Sequence, residues 1–162
     1  KDLMNDNDKE MFNKITPKVL ELKKNETLNF RDSSSYHGLG WSHNSGKTGV
    51  WSEGNISTLF FKTKENYGNI KLEIFLNYYL TKNKTTQEFD IYVNDKFNKK
   101  IELKNNDEEN KIEILINEQQ IKRNEVKIDF TFKNLTSPYE ALESPDSRKL
   151  GILVKNIKLV KI

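Results

Sequence analysis

The residues of this sequence with the means to do chemistry gather in two stretches. Residues 35 to 54, SYHGLGWSHNSGKTGVWSEG, hold both tryptophans (Trp41 and Trp51), both histidines (His37 and His43) and five of the seven glycines. Large amphipathic rings supply rigid contact area, and glycines let a loop turn sharply to present it. Residues 134 to 151, NLTSPYEALESPDSRKLG, add Tyr139, Asp146 and Arg148. Arginine offers a planar fork of donors and aspartate offers acceptors, the two kinds of group that vicinal hydroxyls require. The C–H face of a pyranose packs on an aromatic plane. Trp41 or Trp51, with Tyr36, His37 and Tyr139, therefore reads as a stacking surface for a sugar, and Asp146 and Arg148 as the groups that orient it. Each also has a plainer reading, in which the tryptophans cap the core and Asp146 pairs with Arg148 to pin a loop.

Other chemistry finds less support. His37, Ser42 and Asp146 are the residue types of a hydrolytic triad, but no nucleophile-elbow pattern surrounds any serine, and no catalytic residue is assigned. Two histidines in one loop with scattered carboxylates do not make a transition-metal site. Residues 105 to 110 have the oxygen-rich composition of a calcium loop without its spacing, so no metal or cofactor is expected. Glu53-Gly54-Asn55-Ile56-Ser57 places an acid two residues before the asparagine of a sequon, the form that some bacterial glycosylation systems accept.

The elements that must position these residues are strands. In residues 69 to 78, Ile70, Leu72, Ile74 and Leu76 alternate with Lys71, Glu73, Phe75 and Asn77, the period of a half-buried strand. The same alternation runs through Phe89, Ile91 and Val93, through Ile112, Ile114 and Ile116, and through Val126, Ile128, Phe130 and Phe132. Residues 19 to 22 and 27 to 30 read as two short β-prone runs, 56 to 62 as a strand, Ile101 and Leu103 as part of another, and 151 to 160 as the last. Asn94-Asp95 is a turn pair, and residues 117 to 124 admit a helical turn. Eight or more strands with turn signals about every 8 to 12 residues predict an all-β chain with very little helix, an antiparallel sandwich of jelly-roll or immunoglobulin-like topology. Residues 1 to 17 read as a polar arm, linker or short helix, and 18 to 162 as one sandwich domain. The two irregular stretches, long for a fold that needs only short turns, are expected to meet in space.

Composition narrows the partners. Apolar residues make up 35% and charged residues 31% of 162, and the net charge of +3 is dispersed, without the basic face that nucleic acid requires. No segment reaches the ~20 apolar residues of a membrane-spanning helix, so direct membrane insertion is not expected. Cysteine is absent, which removes disulfides and thiolate ligands. The Lys, Asn and Ile bias suggests a low-GC bacterial genome, and a first residue of Lys1 suggests a fragment or processed product.

Gly-Trp-Ser at 40 to 42, Gly-Val-Trp-Ser-Glu-Gly at 49 to 54, and Ser-Pro-Tyr-Glu-Ala-Leu with Ser-Pro-Asp-Ser-Arg-Lys-Leu-Gly-Ile at 137 to 152 carry a resemblance. Over about residues 30 to 162 the chain resembles an accessory β-sandwich domain attached to bacterial glycosyltransferases and related enzymes that build capsule and lipopolysaccharide. The segment between the tryptophans, which in that family usually carries a glutamate, here reads His43-Asn44-Ser45-Gly46-Lys47-Thr48. The resemblance implies a non-catalytic module that looks like a carbohydrate-binding domain. It would take a glycan or glycan precursor, beside a companion catalytic domain, in the cytoplasm or at the cytoplasmic face of the inner membrane. A structural or oligomerising role and a polysaccharide esterase or lyase are the competing readings.

Overall fold

The computed structural model describes residues 4–21, 27–43, 48–64, 67–104 and 110–162. Among the described residues ten strands form two sheets: β1 (Lys18–Val19), β2 (Leu28–Asn29), β3 (Val50–Glu53), β4 (Ile56–Lys62), β5 (Ile70–Tyr78), β6 (Thr86–Val93), β7 (Lys96–Lys104), β8 (Asn110–Ile116), β9 (Glu125–Phe132) and β10 (Leu150–Lys161). One sheet runs β1-β4-β9-β6-β7 and the other β2-β10-β5-β8, with β3 also paired to β10. All pairings are antiparallel except β1 with β4. The chain is a β-sandwich.

The alternation seen in sequence is the alternation of burial. Ile70, Leu72, Ile74, Leu76 and Tyr78 of β5 are fully buried, while their odd-numbered neighbours face out. Against them pack Leu59 and Phe61 of β4, Phe89 and Ile91 of β6, and Ile128 and Phe130 of β9. Each such side chain contributes about 1.5–3 kcal/mol by leaving water, so a one-residue slip of any of these strands would expose its whole apolar set. Turn chemistry agrees: Asn94 and Asp95 take φ of 46° and 70°, closing the β6–β7 hairpin with the positive angles that asparagine and aspartate tolerate.

Local propensity was overridden in the first third of the chain. Of the two β-prone runs before residue 31, the described part shows the two-residue strands β1 and β2, Leu22 lying outside the described residues, and 3-10 turns at Phe30–Asp32 and Ser34–Tyr36 follow. Phe30 is fully buried, and the turn that seats it costs the run its strand geometry. The helical turn expected at 117 to 124 is a 3-10 turn over Glu118–Gln120. A short helix, α1 (Asp6–Asn13), is capped by Asn5, whose side chain accepts from the Asp8 N–H at 2.8 Å. Helix α1 lies against the first sheet through Phe12, 4.7 Å from Phe60, with the Lys127 ammonium 5.5 Å from the Phe12 ring. Asn55 is exposed in the β3–β4 turn, whereas Ser57 of the sequon is buried in β4 and donates to the Gly40 carbonyl.

Candidate functional site

After the second 3-10 turn, residues 37 to 41 run along the edge of β4. His37 bridges Leu59, the Gly38 N–H donates to the Thr58 carbonyl at 2.7 Å, and the Thr58 N–H donates to Leu39 at 2.9 Å. The glycines serve this approach. A Cβ on Gly38 would sit 1.8 Å from the Thr58 hydroxyl, and one on Gly40, which has φ +81°, would sit 2.1 Å from the Ile56 carbonyl. At Trp41 the chain leaves the first sheet and bridges Ser52 of β3, which belongs to the second. The stretch thus stitches the two sheets together along one edge.

That crossing sets the phase of the two Trp-Ser pairs. Side chains paired directly across antiparallel strands point to the same side. Trp41 and Ser52 therefore share the inner side. The Trp41 ring meets Phe30 edge-on at 4.9 Å and Phe130 at 6.3 Å, and its indole N–H donates to the Thr58 carbonyl at 2.8 Å. His37 stacks on Phe30 at 3.9 Å and donates its Nε2–H to the Phe30 carbonyl at 2.9 Å. Burial pushes its pKa down to about 4, because a charged imidazole would lose its hydration there. Tyr36 lies beside them and donates its hydroxyl to the Val19 carbonyl at 3.0 Å.

Trp51 and Glu53 alternate with buried Val50 and Ser52, and so face outward. The half-buried Trp51 meets Tyr79 edge-on, with centroids 6.3 Å apart and planes at 89°. The Tyr79 hydroxyl donates to the Glu143 carboxylate. Its pKa is raised, first by burial and then by Glu143. Ser42 donates to Glu53 Oε2 at 2.8 Å and accepts from Arg148 Nη1 at 3.0 Å. Arg148 grips Asp146 with both arms of its fork, Nε to Oδ1 at 3.0 Å and Nη2 to Oδ2 at 2.7 Å. These hydrogen bonds hold the Asp146 carboxyl below the usual carboxylate range. The Gly54 N–H donates to the Lys149 carbonyl at 3.0 Å, so residues 35 to 54 and 134 to 151 do meet.

Of the seven residues singled out in the sequence, Trp51, Tyr139, Asp146 and Arg148 belong to this end of the sandwich. Tyr139 is 63% exposed, on a loop pinned by its N–H to the Asp146 carbonyl at 2.7 Å. Tyr36, His37 and Trp41 are not brought to it, because the Trp41–Ser52 bridge turns their rings toward Phe30 and the core. The same bridge separates His37 from Ser42, which faces Glu53 and Arg148. Four members went unassigned in the sequence: Ser42, Glu53, Tyr79 and Glu143. The period-two rule would have found Tyr79, since Tyr78 continues the inward series Ile70 to Leu76 and its neighbour must point out.

A cavity of about 380 Å³ adjoins the Tyr79–Glu143 contact, walled by Thr81, Lys82, Lys84, Thr136, Glu140 and Glu143. A second, of about 530 Å³, lies between α1 and the first sheet, over Phe12, Phe60 and Lys127. Residues 105 to 109, most of the oxygen-rich loop, lie outside the described residues, and among the described residues no three acidic or histidine side chains cluster as metal ligands.

The sandwich is similar to the CBM36-1 domain of a multidomain xylanase from the hindgut metagenome of Trinervitermes trinervoides, with TM-score 0.50 and 11% identity over 83% of this chain and 96% of that one. It is similar to the xylan-binding module CBM15, with TM-score 0.50 and 12% identity over 84% and 96%. The fold is the β-sandwich shared with these two modules. The cycloalternan-forming enzyme from Listeria monocytogenes, at TM-score 0.46 and 13% identity over 77% of this chain, is far longer, and the chain spans 11% of its length. No family model matches the sequence, and neither does any curated protein.

Proposed function

We propose that this chain is a non-catalytic glycan-binding module whose site is the outward corner of Trp51 and Tyr79, with Tyr139 beside it and polar groups from Glu53, Glu143, Asp146 and Arg148. The observation that carries the reading is the orientation of Trp51. A half-buried indole set perpendicular to a tyrosine and rimmed by braced charges offers an apolar plane for a sugar's C–H face and acceptors for its hydroxyls. The shared fold supports it, since two modules with this fold carry xylan-binding and xylanase in their names. The motifs at 40 to 54 and 137 to 152 support a further step: a companion catalytic domain of the glycosyltransferase kind, working on surface polysaccharide at the cytoplasmic face of a bacterial membrane.

The test is a titration of neutral and acidic polysaccharides, followed by tryptophan fluorescence and calorimetry. Binding should be weak, on the order of 10 μM to 1 mM, because a shallow site exchanges its polar contacts with water at small net gain. Trp51→Ala should lose about 1–3 kcal/mol of it, the apolar area that the ring covers. Binding that Trp51→Ala leaves intact would move the site elsewhere. Tyr139 and Leu142, exposed on one loop, favour a second reading in which this end docks on the companion domain. Absence of binding to every glycan, together with capture of the companion domain through these two residues, would favour that reading.

A further inference from the structure

Resting on the glycan reading of the Trp51 corner, we propose that this site selects neutral or amine-bearing sugars and rejects uronates and other anionic sugars. A half-buried arginine at this end of the sandwich invites the opposite conclusion, since guanidinium forks are the usual hold on carboxylates. Here the fork is occupied. Nε and Nη2 of Arg148 hold Asp146, Nη1 donates to Ser42, and the Arg148 backbone N–H donates to the same Asp146 carboxylate at 3.0 Å. A ligand carboxylate would have to displace Asp146 and undo the loop that positions Tyr139. Arg148 is a positioning residue, a brace between the two stretches.

The acceptors that remain are carboxylates. Glu53 receives Ser42 through Oε2, and Glu143 receives Tyr79 through Oε1, so each has a second oxygen for a hydroxyl or ammonium donor. Among the described residues around the Trp51–Tyr79 corner, the carboxylates of Glu53, Glu143 and Asp146 stand against the one guanidinium of Arg148, an excess of two negative charges. Nearby cations offset part of it. Lys149 is paired with Glu140, whereas the Lys84 amine is bonded to the neutral Gln87 side chain and keeps its charge, which leaves a net negative corner. Lys82 is exposed, where water screens it. Like charges meeting a ligand carboxylate within several ångström suffice for about a tenfold loss of affinity at low ionic strength.

Matched oligomers that differ only at C6 test this: β-1,4-glucan against β-1,4-glucuronan, and β-1,4-mannan against β-1,4-mannuronan. In each pair that binds, the neutral member should bind about tenfold tighter in dilute buffer, and the gap should close near ~1 M salt, where the Debye length is about 3 Å. Glu53→Gln with Glu143→Gln should raise the affinity of the uronate relative to its neutral partner, with melting temperature as the folding control. A uronate that binds as tightly as its neutral partner, or tighter, overturns the selectivity while glycan binding stands. Failure of every oligomer to bind removes the glycan reading itself, and the selectivity with it.

Discussion

Two copies of the dipeptide Trp-Ser, ten residues apart in sequence, end on opposite sides of one sheet edge. Trp41 is turned in, with its N–H committed to Thr58 and its ring against Phe30 and Phe130. Trp51 is turned out, with its ring against Tyr79. The serines take the complementary positions: Ser52 is fully buried and accepts from the Ile152 N–H at 2.9 Å, whereas Ser42 joins Glu53 and Arg148. Composition is therefore no guide to role at this edge. The backbone bridge between residues 41 and 52 decides which ring faces the core and which faces outward.

The comparison breaks if the two rings respond alike to removal. Trp41→Ala should cost about 3–5 kcal/mol of stability through the cavity it leaves, whereas Trp51→Ala should cost about 1 kcal/mol, as a ring that keeps much of its surface in water. Chemical denaturation of both variants measures the difference, and equal losses would place Trp51 in the core.

The glycines sharpen the same contrast at somewhat smaller scale. Gly40 and Gly54 both have positive φ, +81° and +87°, but a Cβ on Gly40 meets the Ile56 backbone while one on Gly54 meets nothing within 4 Å. Gly54→Ala should cost about 1 kcal/mol for its backbone angle alone, and Gly40→Ala about 1–3 kcal/mol more as β4 is forced away. Similar melting temperatures for the two variants would show that the inner arm of the stitch is not tightly seated.

Acid offers a further separation, because His37 stands with Trp41 and not with Trp51. Its pKa is lowered from 6.5 to about 4 by burial, so the unfolded chain takes up the proton first. Stability should be full above pH 6.5 and should fall as pH drops from 6.5 toward 4. Asp129 works against this slope. Its side chain is fully buried, 3.4 Å from the Lys127 ammonium, and burial raises its pKa from 3.8 to about 6, which adds stability as pH falls through that range. Melting curves in an Asp129→Asn background isolate the histidine, and His37→Gln should flatten the remaining slope. Persistence of the slope in that double variant would assign it to other groups.

The smallest expected effect belongs to the brace. Arg148→Lys keeps the charge but not the fork, and should cost less than about 1 kcal/mol of stability at a half-exposed pair. Ligand binding should fall more than stability does, as Asp146 and the Tyr139 loop lose their fixed position. Unchanged binding would show that the loop holds its shape without Arg148.

Alternation along residues 70 to 78, 86 to 93 and 125 to 132 was sufficient to read the strands, their inward faces and a two-sheet sandwich, because side-chain period two is a local property of extended backbone. Turn residues at Asn94-Asp95 placed the hairpin for the same reason. That the two irregular stretches would meet also followed from the sequence, since a fold of short turns leaves long loops few places to go. Their phase did not. Residues 37 to 41 have no alternation of their own, and the side each ring faces is set by hydrogen bonds to Thr58 and Ser52, residues that only the folded chain brings alongside. Glycines read as freedom to turn proved to be room for β4 to approach, and of the two readings of Arg148, a hand for a ligand or a pin for the loop, the folded chain shows the pairing with Asp146 that the second describes. Pairing across distant segments is a tertiary fact, and at this edge it decided which residues are left facing the solvent.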